Sequence, residues 1–120
     1  MNSNILATSL FSLFAVLIVS CSGGGASPDP IPKVFKYAGE TQCENDGTSV
    51  EDMEQELTDA GISVICGQRA GDGYAYPACC GCASGLINVY EIGESDFSAA
   101  EGQGFELVGT LPDYQDQACE

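Results

Sequence analysis

Hydrophobic positions are spaced differently in successive parts of this chain, and each spacing predicts a different element. From residue 5 to residue 19, ILATSLFSLFAVLIV, apolar residues run almost unbroken and without a charge. A membrane crossing needs about 20 such residues, so the run fits the hydrophobic region of a secretory signal better than a span. Over GTSVEDMEQELTDAG the spacing becomes helical, with Val50, Met53, Leu57 and Ala60 on one face. Thr48 with Glu51 three residues on forms a capping-box pattern at the start, and Gly61 supplies a left-handed stop. Residues 62–66, ISVIC, and 86–92, LINVYEI, then have the composition of strands. SDFSAAEGQG predicts a shorter helix with Ser95 as its cap and Phe97, Ala99 and Ala100 on its inner side. FELVGTL, 105–111, predicts a closing strand, and KVFKYAG an opening one.

The resulting order is strand, helix, strand, strand, helix, strand. It predicts an α+β domain of the ferredoxin-like kind, a split βαβ (βαββαβ) arrangement with both helices on one sheet face. EQELTDAGISV and FSAAEGQGFEL look like two copies of one unit, with Gly61 matching Gly104, Ile62 matching Phe105 and Val64 matching Leu107. No iron–sulfur cluster or other cofactor follows from that fold class.

The apolar run ends in IVSC, residues 18–21, followed by SGGGASPDPIP. This resembles the bacterial lipoprotein signal of the signal peptidase II type: Ile18, Val19 and Ser20 match the positions that precede the family's lipid-bearing cysteine, here Cys21. The leading MNSN contributes no Lys or Arg, a departure from the usual basic start. The resemblance implies that residues 1–20 are removed and that Cys21 becomes the lipidated first residue, anchoring the protein in the cell envelope. Ser22 in place of Asp after that cysteine implies the outer membrane, by similarity to enterobacterial sorting. Several acyl chains, at ~0.8 kcal/mol per buried CH₂, make such an anchor stable. The stretch 21–32 is rich in Gly, Ser and Pro and predicts a flexible tether, which leaves 33–120 as one small domain.

Composition narrows the partners. All 18 acidic residues lie at or after Asp29, and Lys33, Lys36 and Arg69 are the only bases, for a net charge of -15. Nucleic acid is an unsuitable partner for such a chain, and an anionic lipid surface would repel it, so membrane residence falls to the lipid on Cys21. A domain of this size buries only about 60–65% of its unfolded surface and needs additional stabilisation.

The cysteines can supply it. With Cys21 assigned to lipid, Cys43, Cys66, Cys79, Cys80, Cys82 and Cys119 remain, an even set in an exported chain, which favours disulfides. Sequence does not select the connectivity. The element order leans towards Cys66 with Cys80 or Cys82, closing the hairpin between the central strands, and towards Cys119 tying the tail to Cys43; vicinal Cys79 and Cys80 are not expected to pair with each other. Two rival chemistries use the same residues. Cys79 and Cys82 form a Cys-x-x-Cys spacing suited to thiol redox work, although a glycine and a strand follow where a helix would activate the thiol. Cys66, Cys79, Cys80 and Cys82 are soft ligands that suit Cu(I) or Zn²⁺, without His or Met nearby to support them.

Other catalytic chemistry finds no foothold. The chain has no histidine, Ser84, Ser95 and Ser98 lie beside no base, and Glu51 with Asp52 falls on the solvated helix face. GQRAGDGYAYP lacks the Lys, Ser or Thr and following helix of a phosphate loop. It predicts instead a surface loop whose Arg69, Tyr74 and Tyr76 form the best candidate contact surface. A final resemblance covers most of 37–111: TQCE, GTSVEDM, AGISV, YPACCG and GLINVYEI are together similar to a small domain of secreted and lipid-anchored proteobacterial proteins, a family with no activity to transfer. Cys79, Cys82 and Cys119 are additions to that pattern. The sequence thus predicts a non-enzymatic envelope protein, a stapled binding or scaffolding module whose partner it does not name.

Overall fold

A computed structural model describes residues 31–119. The apolar run, Cys21 and the tether up to Pro30 lie outside the described residues. Within them the order is β1 (Lys33–Tyr37), α1 (Val50–Asp59), β2 (Val64–Gly71), β3 (Leu86–Ile92), α2 (Phe97–Gly102) and β4 (Glu106–Leu107), with 3₁₀ turns at Glu94–Asp96 and Val108–Thr110. The four strands form one antiparallel sheet in the order β2-β3-β1-β4. The domain is α+β, as the spacing of apolar residues predicts. Among the described residues no helix is long and apolar enough to cross a membrane.

Alternation along the strands assigns the two faces. Val34, Tyr90 and Ile92 point to the helices and meet Met53 and Leu57 of α1, Ala100 of α2, and Ile62 and Phe105. Phe35, Ile87 and Val89 point the other way, under Val108, Leu111 and Tyr114 of the C-terminal segment. Both helices leave by the same turn. Ile62 N–H donates to the Leu57 carbonyl and Gly61 N–H to that of Thr58, as Phe105 donates to Ala100 and Gly104 to Glu101. This double bond pattern needs a left-handed residue, and φ is +80° at Gly61 and +88° at Gly104. The likeness of the two sequence passages therefore has a physical basis at the helix exits, where Ile62 and Phe105 are both carried into the core.

Several sequence expectations are corrected. The cap of α1 is Ser49, whose hydroxyl accepts from Asp52 N–H at 3.0 Å, and not Thr48. The Thr48 carbonyl is taken by Arg69 and Asn88, so tertiary contacts set the helix start. Ser95 does not cap α2; it lies in a 3₁₀ turn, the helix starts at Phe97 after Asp96 with no side-chain cap bond, and Ala99 is exposed, which leaves Ala100 and Phe97 on the inner side. The closing strand is only Glu106–Leu107, because the chain then turns at Val108 to cover the second sheet face. β2 starts two residues later than expected and runs on to Gly71, through a glycine-containing stretch that lacks apolar alternation.

Candidate functional site

Antiparallel pairing brings the end of β1, the end of β2 and the start of β3 to one edge of the domain, where the β1–α1 and β2–β3 loops meet. The loops are joined by a bridge between Thr41 and Ala83 and by backbone bonds from Gln42 N–H to the Cys82 carbonyl and from Gly81 N–H to that of Gln42. The Gln42 side chain reinforces them. Its amide donates to the Pro77 and Ala83 carbonyls at 2.8 and 3.0 Å, and its oxygen accepts from Cys79 N–H at 3.1 Å. Within the first loop the Asp46 carboxylate accepts from the amide and hydroxyl of Thr41, which holds its pKa below the usual carboxylate range.

The six cysteines lie in three pairs at disulfide distance. Cys43 pairs with Cys80, Cys66 with Cys119 and Cys79 with Cys82, at Cα separations of 5.1, 6.1 and 5.5 Å. Neither the Cys66 link to Cys80 or Cys82 nor the Cys119 link to Cys43 forms, and the vicinal pair stays unbonded. Two features of β2 account for this. The strand extends five residues past Cys66, so the loop that holds Cys79, Cys80 and Cys82 starts about 16 Å further on, at ~3.3 Å per residue. A bulge between Val64 and Cys66 also breaks the alternation. Cys66 then lies opposite Glu91 and faces the C-terminal segment, where Cys119 waits.

The same geometry separates the proposed soft-metal ligands, since Cys66 is remote from Cys79, Cys80 and Cys82. Among the described residues the one His/Cys/Asp/Glu group with ligand atoms within 4.8 Å of one another is Cys66, Glu91 and Cys119. Both its sulfurs belong to one disulfide pair, and Lys33 Nζ lies 3.3 Å from the Glu91 carboxylate. That arrangement is an ion pair beside a crosslink and offers no thiolate.

Beside the cysteine cluster, Asp72 is the organising residue. Its backbone N–H donates to the Gly85 carbonyl, and its side chain is buried at the mouth of the β2–β3 loop. The carboxylate accepts from the hydroxyls of Tyr37 at 3.1 Å and Tyr76 at 2.5 Å and from Tyr74 N–H at 2.9 Å. Gly85 makes the approach possible: its φ is +71°, and a Cβ there would meet Tyr76 and, at 2.9 Å, Asp72 Oδ1. Burial, followed by the Asp72 carboxylate, pushes the Tyr37 phenol up to about 12, and the bond to Asp72 raises that of Tyr76.

Of the expected contact residues, Tyr74 and Tyr76 are on this exposed loop, but Arg69 is not beside them as a free cation. It belongs to β2, opposite Asn88 on the helix side, where it pairs with Glu40 and donates to the Thr48 carbonyl. Tyr37, Asp72 and Gln42 were not foreseen. Asp72 had a signal in GDGY, because an Asp between glycines commonly bonds the amide two residues on; nothing local distinguishes Gln42.

No protein-family model matches the chain, and neither a curated protein nor a solved structure matches it.

Proposed function

We propose that this chain is a lipid-anchored protein of the bacterial cell envelope, held through Cys21 on the periplasmic side of the outer membrane, whose domain is a non-enzymatic binding module. The observation that carries the reading is the placement of all six remaining cysteines in pairs at disulfide distance, the state expected of an exported chain. The domain follows the ferredoxin-like plan in this reading, supported by the β2-β3-β1-β4 order and the helices on one face. It also belongs with the small domain of secreted and lipid-anchored proteins that its motifs resemble. The binding end is the pair of joined loops, because they hold aromatic side chains out on a rigid base and contain no paired nucleophile and base. The charge of -15 directs it away from nucleic acid.

Anchoring is tested by expressing the full chain and a Cys21→Ser variant in a bacterium and following acyl labelling and membrane fractionation. Labelling and membrane residence lost in the variant are expected; equal labelling of the two proteins would sink the proposal.

A second reading, thiol redox exchange, is favoured by one feature. Cys79 and Cys82 are only three residues apart, so their bond closes too short a loop to be a major staple, and Cys79 is exposed. Intact mass after alkylation separates the readings: three closed disulfides support the module, and a free pair at Cys79 and Cys82 supports redox exchange.

A further inference from the structure

Asp72 is only 1% exposed, and each of its partners, two phenol hydroxyls and one backbone amide, is a neutral donor. These are the partners a carboxylate accepts from, and none of them brings a positive charge to the acidic group enclosed at this loop end. Charges this deeply buried are ordinarily paired. The basic side chains of this chain are engaged elsewhere: Lys33 with Glu91 and Asp116, Lys36 with Glu56, and Arg69 with Glu40. The compensating charge is left to another molecule.

The surroundings of Asp72 suit one class of cation. Tyr37 and Tyr76, 48% and 37% exposed, line a cleft of about 230 Å³ together with Glu40, Thr41, Ser84 and Gly85. Aromatic faces attract ammonium groups, tyrosine more so when its hydroxyl is polarised by donating to an anion. The volume is below the ~300–1,000 Å³ of pockets for drug-sized ligands and fits a single headgroup or side-chain tip. A small metal ion would find the Asp72 oxygens already occupied by three donors, whereas an alkylammonium needs only the ring faces and the field behind them.

The geometry points to a binding site for an organic ammonium group, held between Tyr37 and Tyr76 over the buried Asp72 carboxylate. This rests on the binding-module reading and names its ligand class. A lysine side chain and a quaternary ammonium headgroup share that chemistry.

The full chain, kept in nonionic detergent, contains no Trp, so its emission comes from five tyrosines, of which Tyr37, Tyr74 and Tyr76 lie at the loop end. The probes are butylammonium chloride, tetramethylammonium chloride and the neutral 3,3-dimethylbutan-1-ol, with potassium chloride matching ionic strength. A saturable response to one or both ammonium salts is expected, the first indicating a lysine-type ligand and the second a quaternary one, with little response to the alcohol. Asp72→Asn and Tyr76→Ala are expected to weaken binding about tenfold or more, and Tyr76→Phe, which keeps the ring, by less than about threefold. Comparison of charged and neutral probes on the unaltered chain needs no variant to fold. Equal binding of the alcohol would overturn the ammonium assignment while leaving a binding cleft. Silence towards every probe would overturn the ammonium site, while the binding-module reading is decided separately by the intact mass after alkylation.

Discussion

On one face of the sheet, Met53, Leu57 and Ala100 come from two helices and meet Val34, Tyr90 and Ile92 in a continuous apolar layer. On the other, Phe35, Ile87 and Val89 lie under a segment without a regular helix, contributing Val108, Leu111 and Tyr114. That second cover is fastened along its length. Lys33 Nζ donates to Asp116 at 2.5 Å and to the Gln117 carbonyl at 2.8 Å, Gln68 reaches the same carbonyl, and Cys119 pairs with Cys66. The bond to Asp116 raises the Lys33 pKa by favouring the charged ammonium in this fastening. Periodic burial closes the first face, while long-range links between otherwise irregular segments close the second and join the loops beside it.

The largest effect that would break this contrast is reduction. Closing loops of 53 and 37 residues contributes about 4 kcal/mol each in the chain-entropy model, against less than ~2 kcal/mol for a separation of three. A reducing agent is therefore expected to lower the melting temperature by well over ~10 °C, taking ~4–8 °C per kcal/mol. A chelator should leave the melt unchanged. Cys66→Ser with Cys119→Ser should cost about 4 kcal/mol in chemical denaturation, and Cys79→Ser with Cys82→Ser less than half as much. Equal costs for the two double variants would remove the distinction between staples and the short-range pair, and a melt lowered by chelator alone would make the cluster a metal site.

The contrast also explains which parts were legible in the sequence. Val50, Met53 and Leu57 of the α1 face and the bounds of β3 follow from periodicity, because local spacing and burial agree there, whereas Ala60, expected on the same face, is exposed at the helix cap. Asn88 interrupts the apolar run of β3 without breaking it, since its amide donates to the carbonyls of Thr48 and Ser49, a partnership no local pattern announces. β2 was obscured for the opposite reason. Its outer half, GQRAG, has loop composition and is held as a strand by pairing with β3 from Cys66 to Gly71. That extension and the bulge before Cys66 decide the cysteine pairing, so the correct partners could not be reached from spacing. At the loop end, Tyr74 and Tyr76 stood out as aromatics in a glycine-rich loop, but Tyr37 looked like an ordinary strand residue until Asp72 was brought to its hydroxyl.

A smaller effect sharpens the account of the regular face. Ser49→Ala removes the hydroxyl that accepts from Asp52 N–H and should cost about 1 kcal/mol. Thr48→Ala leaves in place the carbonyl used by Arg69 and Asn88, and should fall within ~0.5 kcal/mol of the parent. Denaturation of the two variants side by side checks the cap; a larger loss from Thr48→Ala would return it to the position expected from the sequence.

The smallest expected effect concerns the alkaline limit of the fold and probes the irregular end directly. The Tyr37 phenol is raised to about 12, first by burial and then by the Asp72 carboxylate, against an ordinary value near 10. Below pH 10 both the folded and the unfolded chain keep this proton, so the stabilisation is fully present. As pH rises from 10 towards 12 the unfolded chain releases a proton that the fold retains, and stability falls; above 12 this contribution is gone. Tyr90 on the helix side is also raised, again by burial first and then by the Glu54 carboxylate, with its hydroxyl donating to the Val50 carbonyl at 2.6 Å. Tyr37→Phe should therefore flatten the decline of stability between pH 10 and 12 while leaving the parts due to Tyr76, Tyr90 and Tyr114, which are raised as well. Because Tyr37 is 48% exposed, solvent screening keeps the difference small. Denaturation midpoints of the parent and variant at successive alkaline pH values measure it, and identical slopes would show that the Asp72 bond does not couple the loop end to folding.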